Sequence, residues 1–213
     1  KRYRFFDIGT DHYYYDGYEN ERSINDIVER SYMPALRTFL QMCKENGQFF
    51  KLAFSLSGCA IEQLEVHAPQ VLEILQELND TGCVEFLAEP YSHGLSSLAN
   101  EDTFAEEVKR QSEKIQELFG KKPTVLRNSS LIYSNDIGGQ VAAMGFKGML
   151  TEGAKHMLGW KSPHYVYNSS IAPDLKLLLR DDELSDDICL RLNNSHWEGY
   201  PLFADNYIGH ISS

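Results

Sequence analysis

Short apolar runs alternate with amphipathic stretches along this chain, and most of the apolar runs end in a burst of polar residues. Residues 49–56 (FFKLAFSL) read as a buried strand ending at Ser57-Gly58. Residues 69–79 read as a helix, with Val71, Ile74, Leu75 and Leu78 on one face at the i, i+3, i+4, i+7 spacing. CVEFLA (83–88) is a second strand, running out at Glu89-Pro90-Tyr91-Ser92-His93-Gly94. Residues 101–119 are helical, with Phe104, Val108, Ile115 and Phe119 inward and Gly120 as the stop. The strand at 124–126 breaks abruptly into Arg127, Asn128, Ser129 and Ser130. A capped helix follows it, with Ser134 or Asn135 as N-cap and Gly145 as its end. Strands at 146–150 and 175–179 end at Thr151-Glu152-Gly153 and Arg180-Asp181-Asp182. Parallel neighbours need a crossover, so strand, helix, strand in repeated order predicts an α/β fold with a parallel sheet. An open or TIM-type barrel fits these strands better than a small dinucleotide-binding sheet.

The flanks are less regular. Residues 24–43 are helical in pattern, with Pro34 forcing a kink or a break. The first twenty residues, rich in Tyr and acids, read as a long loop, and PLFADNYIGHI near the end reads as a helix candidate. With 213 residues and 42% hydrophobic content, one core and one domain are expected. A net charge of −11 argues against nucleic acid or an anionic membrane surface as partner. No run of eighteen apolar residues occurs, so no membrane-spanning helix is expected. Cys43, Cys59, Cys83 and Cys189 lack ligand or CxxC spacing and read as reduced, mostly buried thiols of a cytoplasmic protein.

In parallel α/β folds the carboxyl ends of the strands converge on one face. Collected there are Ser57, Glu89, His93, Arg127, Asn128, Ser130, Glu152 and the Asp181/Asp182 pair. This hydrogen-bonding set suits a polyhydroxylated ligand, since every sugar hydroxyl both donates and accepts. Tyr91, Tyr133 and Trp160 could supply flat faces for sugar rings. Each has a plainer alternative. His93 can cap the following helix, Arg127 and Asn128 can tie loops together, Asp186 and Asp187 can cap or flank a strand, and Trp160 can simply pack. No GxGxxG or GxxxxGK[ST] marks a dinucleotide or phosphate loop, and no GxSxG elbow surrounds Ser130. Asp11, His12 and His93 lack zinc-site spacing, so neither a metal nor an organic cofactor is expected.

Six segments resemble glycoside hydrolase family 57, in particular its bacterial α-amylase branch. They are FFDIGTDHYYYDGYENERSINDIVERSYMPA, SLSGCAIEQLE, GCVEFLAEPYSHGLSSL, RNSSLIYSNDIG, MGFKGMLTEGAKHMLGWKSPHYVY and LKLLLRDDELSDDICLRL, in the family's order. The resemblance implies an incomplete (β/α)7 barrel acting on α-1,4-glucan or malto-oligosaccharide with retention of configuration. Retention needs two carboxyl groups about 5–5.5 Å apart. The family's nucleophile is a Glu in the segment matching RNSSLIYS, and Ser130 stands at its position. Glu89 and His93 carry over as substrate-site residues, Arg127 and Asn128 lie in the segment of Ser130, and Trp160 matches a segment near the active cleft. The acid/base Asp belongs to a later segment without a counterpart before Ser213, and the His-Gln-Pro opening strand has none ahead of Lys1. The resemblance therefore casts residues 1–213 as one catalytic-type domain lacking its first strand and its C-terminal part. A serine hydroxyl neither attacks an anomeric carbon unaided nor offsets an oxocarbenium-like charge. An amylase-type hydrolase disarmed at Ser130 is one reading, and a silent glucan-binding or regulatory protein is its alternative. A third reading has Glu89 or another acid replacing the lost Glu.

Overall fold

A computed structural model describes residues 16–212. Asp16 opens helix α1 (Gly17–Ile27), its carboxylate accepting from the Glu19 backbone N–H at 3.3 Å. A π turn (Val28–Tyr32) leads directly into α2 (Met33–Asn46), and the Met33 N–H bonds to the Val28 carbonyl. The π register accommodates Pro34 in the first turn of α2, so the expected break is absent and the helical path continues. The expected loop over residues 1–20 is overturned at 17–20, which are helical; residues 1–15 lie outside the described residues.

Strand β1 (Leu52–Ser55) is followed by a helix the sequence reading omitted, α3 (Gly58–His67), capped by the Ser57 hydroxyl accepting from Ala60 N–H. Next come α4 (Pro69–Asp80), β2 (Val84–Leu87), the short α5 (Ser96–Ala99) and the long α6 (Glu101–Phe119). Asn100 caps α6 through Thr103 N–H at 2.8 Å, and Gly120 ends it in the left-handed conformation at φ 75°. Then follow β3 (Val125–Arg127) and α7 (Asn135–Ala143), for which Ser134 is the N-cap. The chain continues through β4 (Gly148–Glu152), the short α8 (Lys155–Leu158), β5 (Tyr167–Asn168) and β6 (Lys176–Arg180). It closes with α9 (Asp182–Asp186), a π segment (Asp187–Arg191) and α10 (Ala204–Ser212). LSDDICLRL is thus helical, because Asp181 caps Leu184 N–H and launches a helix at once, and Asp186 flanks the end of β6 through Arg180.

β1 pairs parallel with β2, β3 with β4, and β4 with β6. A single bridge between Ala88 and Leu126 joins the two ladders, with Ala88 N–H to Val125 O at 2.9 Å and Arg127 N–H to Ala88 O at 2.8 Å. The result is a partial (β/α) barrel that does not close among the described residues. One departure from strict alternation lies between β4 and β6, where β5 runs antiparallel to β6 instead of a long helix crossing over. Two apolar clusters cover the sheet, one gathering α2, α3, α4 and β2, the other Leu126, Ile137, Val141, Met149 and Leu177. Helix α6 belongs to both, with Ile115 and Phe119 in the first and Phe104 and Val108 in the second. Of the four free cysteines, Cys43 and Cys83 are buried whereas Cys59 and Cys189 are exposed. No helix among the described residues is long and apolar enough to cross a membrane.

Candidate functional site

The carboxyl ends of β1, β2 and β3 converge on Glu89, whose side chain is only 4% exposed. Ser55 Oγ donates to Glu89 Oε2, and Arg127 Nη1 lies 3.6 Å from the same oxygen. His93 Nδ1 is 3.4 Å from Oε1. An unpaired buried carboxylate is costly, and here a hydroxyl, a guanidinium and an imidazole surround it. Beneath them, the fully buried Gln111 accepts from the Glu89 N–H at 3.2 Å. Its amide nitrogen donates to the carbonyls of Leu56 (2.8 Å) and Leu87 (3.2 Å), stitching the ends of β1 and β2 together. His93 sits at φ 52° and does not cap a helix; its ring and the Arg127 guanidinium reach the surface while Glu89 stays below.

Beyond β3, Asn128 is fully buried. Its amide nitrogen donates to Ser97 Oγ and Ile132 O, both at 2.9 Å, and its oxygen accepts from Ser129 N–H. That bracing holds the next two residues, Ser130 and Leu131, at φ 52° and 55°, a region non-glycine residues rarely occupy. Ser130 is exposed there, on the wall of a cleft of about 840 Å³. Tyr133, Glu152, His156, Tyr167 and Asn168 share the wall, with Leu131, Ile132, Met157 and Leu158 as its apolar part. Glu89, His93 and Arg127 are not among its lining residues.

On that wall, Glu152 ends β4 opposite Arg180 at the end of β6. Arg180 Nη1 is 3.1 and 3.3 Å from the two Glu152 oxygens, and Nη2 donates to Asp186. Burial opposes the Arg180 charge, but hydrogen bonds to Asp186 and Glu152 outweigh it and raise its pKa above the ordinary value. Burial likewise pushes the Asp181 carboxyl up, yet the Leu184 backbone N–H and the His164 imidazole pull it further down, for a net lowering. Asp181 therefore serves as a helix cap and ion-pair partner.

Two expected sugar platforms differ in fate from Tyr133, which lines the cleft. Tyr91 is buried: its ring lies under the Arg110 guanidinium at 3.7 Å and its hydroxyl donates to Glu62, so it offers no open face. Trp160 is 92% exposed and lies outside the cleft lining, so it does not pack in the core. Asp11 and His12 lie outside the described residues. The sequence reading overlooked Ser55, Gln111 and His156. Gln111 had a legible signal, as a polar residue at a position where the inward spacing of 104, 108 and 115 calls for an apolar one.

The chain matches the profile of Glycosyl hydrolase family 57 over residues 2–213. It is 39% identical over 196 residues to a Methanocaldococcus jannaschii protein provisionally named an alpha-amylase, covering 91% of this chain and 41% of that protein. The chain thus spans about two fifths of the length of the curated relative it matches. Among solved structures, a 4-alpha-glucanotransferase from Thermococcus litoralis superposes with a TM-score of 0.67 at 15% identity, over 80% of this chain and 27% of that one. A GH57-type branching enzyme from Pyrococcus horikoshii gives 0.64 at 17% identity, over 84% and 45%. At such identities these two share the fold. The profile over nearly the whole chain and the archaeal relative show that the chain belongs to glycosyl hydrolase family 57.

Proposed function

We propose that this chain is an α-glucan-holding scaffold of the amylase type in which the hydrolytic nucleophile has been replaced by Ser130. The observation that carries the reading is Ser130 itself, which lines a cleft whose walls combine apolar side chains with hydroxyl, amide and carboxylate groups. That mixture suits a sugar, whose ring offers C–H faces between polar edges. The loop is built to display residue 130: Asn128 braces it from below and two successive residues adopt left-handed backbone. With serine there, the first displacement of retaining hydrolysis has no carboxylate at position 130 to receive the anomeric carbon. His93 and Arg127, set above Glu89, are proposed to donate to glucan hydroxyls, and the exposed Trp160 ring to stack on a sugar outside the cleft.

The test is calorimetric titration with maltoheptaose beside an assay for newly formed reducing ends, on the unaltered chain and on Ser130→Glu. Saturable binding without turnover by the unaltered chain is the expected result. Turnover by the unaltered chain would overturn the role given to Ser130, and absence of binding at millimolar maltoheptaose would overturn the glucan assignment.

A further inference from the structure

Among the residues that line the Ser130 cleft, Glu152 is the one acid, and it is fixed from behind. Building on the reading that this cleft takes an α-glucan, we infer that Glu152 anchors the sugar and selects a neutral one, with Arg180 as its positioning residue. The parallel register of β4 and β6 sets Glu152 beside Arg180, and one guanidinium nitrogen reaches both carboxylate oxygens at 3.1 and 3.3 Å. Each oxygen keeps a lone pair free for a further donor, and the side chain remains 38% exposed.

The next residue keeps this pair together. A Cβ on Gly153 would lie 2.3 Å from the Arg180 carbonyl oxygen, so glycine alone lets the two strand ends approach this closely. A sugar hydroxyl donating to Glu152 makes a charge-assisted hydrogen bond, stronger than one to a neutral amide. Arg180 also binds Asp186, so two carboxylates share one guanidinium and the group carries one negative charge in excess. That excess beside the cleft repels a sugar bearing its own carboxylate, which is discrimination by an unfavourable contact. A neutral glucan is accepted and a uronate-bearing chain of the same length is rejected.

Maltoheptaose and its C6-oxidised, uronate-bearing counterpart are titrated into the unaltered chain, Glu152→Gln, Arg180→Gln and Arg180→Lys, each checked for native circular dichroism and melting. The unaltered chain is expected to prefer maltoheptaose. Glu152→Gln should weaken maltoheptaose about tenfold to a hundredfold and bring the two ligands close to equal affinity. Arg180→Gln should weaken maltoheptaose as well, and Arg180→Lys should recover part of the loss. A merely structural role for Glu152 would lower both affinities together and leave their ratio unchanged, which overturns the inference. Equal maltoheptaose affinity in the unaltered chain and Glu152→Gln overturns it too, while leaving the glucan reading in place. No maltoheptaose binding by the unaltered chain overturns both. Should Glu152→Gln lose its fold, Glu152→Asp carries the test: affinity falls while rejection of the uronate persists, and unchanged affinity counts against the role.

Discussion

Glu89 shows how a single buried side chain organises the exposed ones above it. Replacing it with alanine would leave Ser55 without its acceptor, Arg127 without its counter-charge and a void where the buried side chain stood, for a loss of about 1–3 kcal/mol. Glu89→Gln keeps the shape and an acceptor, so it should lose less than Glu89→Ala; urea denaturation of the two variants checks the order. Ser130 poses the opposite case, an exposed residue held in left-handed backbone at φ 52°, ψ 21°. Such a conformation costs a non-glycine residue about 1–2 kcal/mol, and glycine is free of it at some cost in unfolded-chain entropy. Ser130→Gly is therefore expected to raise stability by about 0.5–1 kcal/mol, seen as a higher urea midpoint with unchanged slope. The strand-end residues themselves were legible from sequence. Gln111 is a residue whose buried amide only the packed sheet explains, since its partners are the residue after β1 and the last residue of β2.

At the scale of elements, the cap Ser134 and the stop Gly120 were readable because they depend on neighbours in sequence. Asp181 adds a titrating cap. Its folded pKa lies below the unfolded value of about 3.9. Its stabilisation is therefore complete above roughly pH 4 and disappears as pH falls through the folded pKa. Asp181→Ala should cost about 1 kcal/mol at pH 6 and markedly less at pH 2, which paired denaturation curves would reveal. The start of α3 depends instead on a distant ring. A Cβ on Gly58 would stand 2.2 Å from the Tyr91 ring, which Arg110 and Glu62 hold in place. Gly58→Ala should destabilise by about 1–3 kcal/mol, and a melting curve that did not move would refute that close approach.

For the molecule as a whole, α6 is the element that makes two apolar clusters one folding unit. Phe104→Ala should cost about 3–5 kcal/mol, and circular dichroism and tryptophan fluorescence should still report a single coincident transition. Separate transitions would mean that the clusters unfold independently. The succession of β1, β2, β3, β4 and β6 with α4, α6 and α7, the parallel sheet and the polar strand ends were legible in the sequence by itself, because apolar periodicity, glycine stops and polar caps act over a few residues; α3 and β5 were not. The family was legible for the same reason, through segments kept in order. Which strand-end residues meet was decided only by the tertiary structure. Pairing between strands far apart in sequence set Glu89 between Ser55 and Arg127, turned Tyr91 inward against Gly58, and left Ser130 to share its cleft with Glu152. No local pattern encodes those meetings, since they depend on strand register and on what each neighbouring chain segment leaves room for.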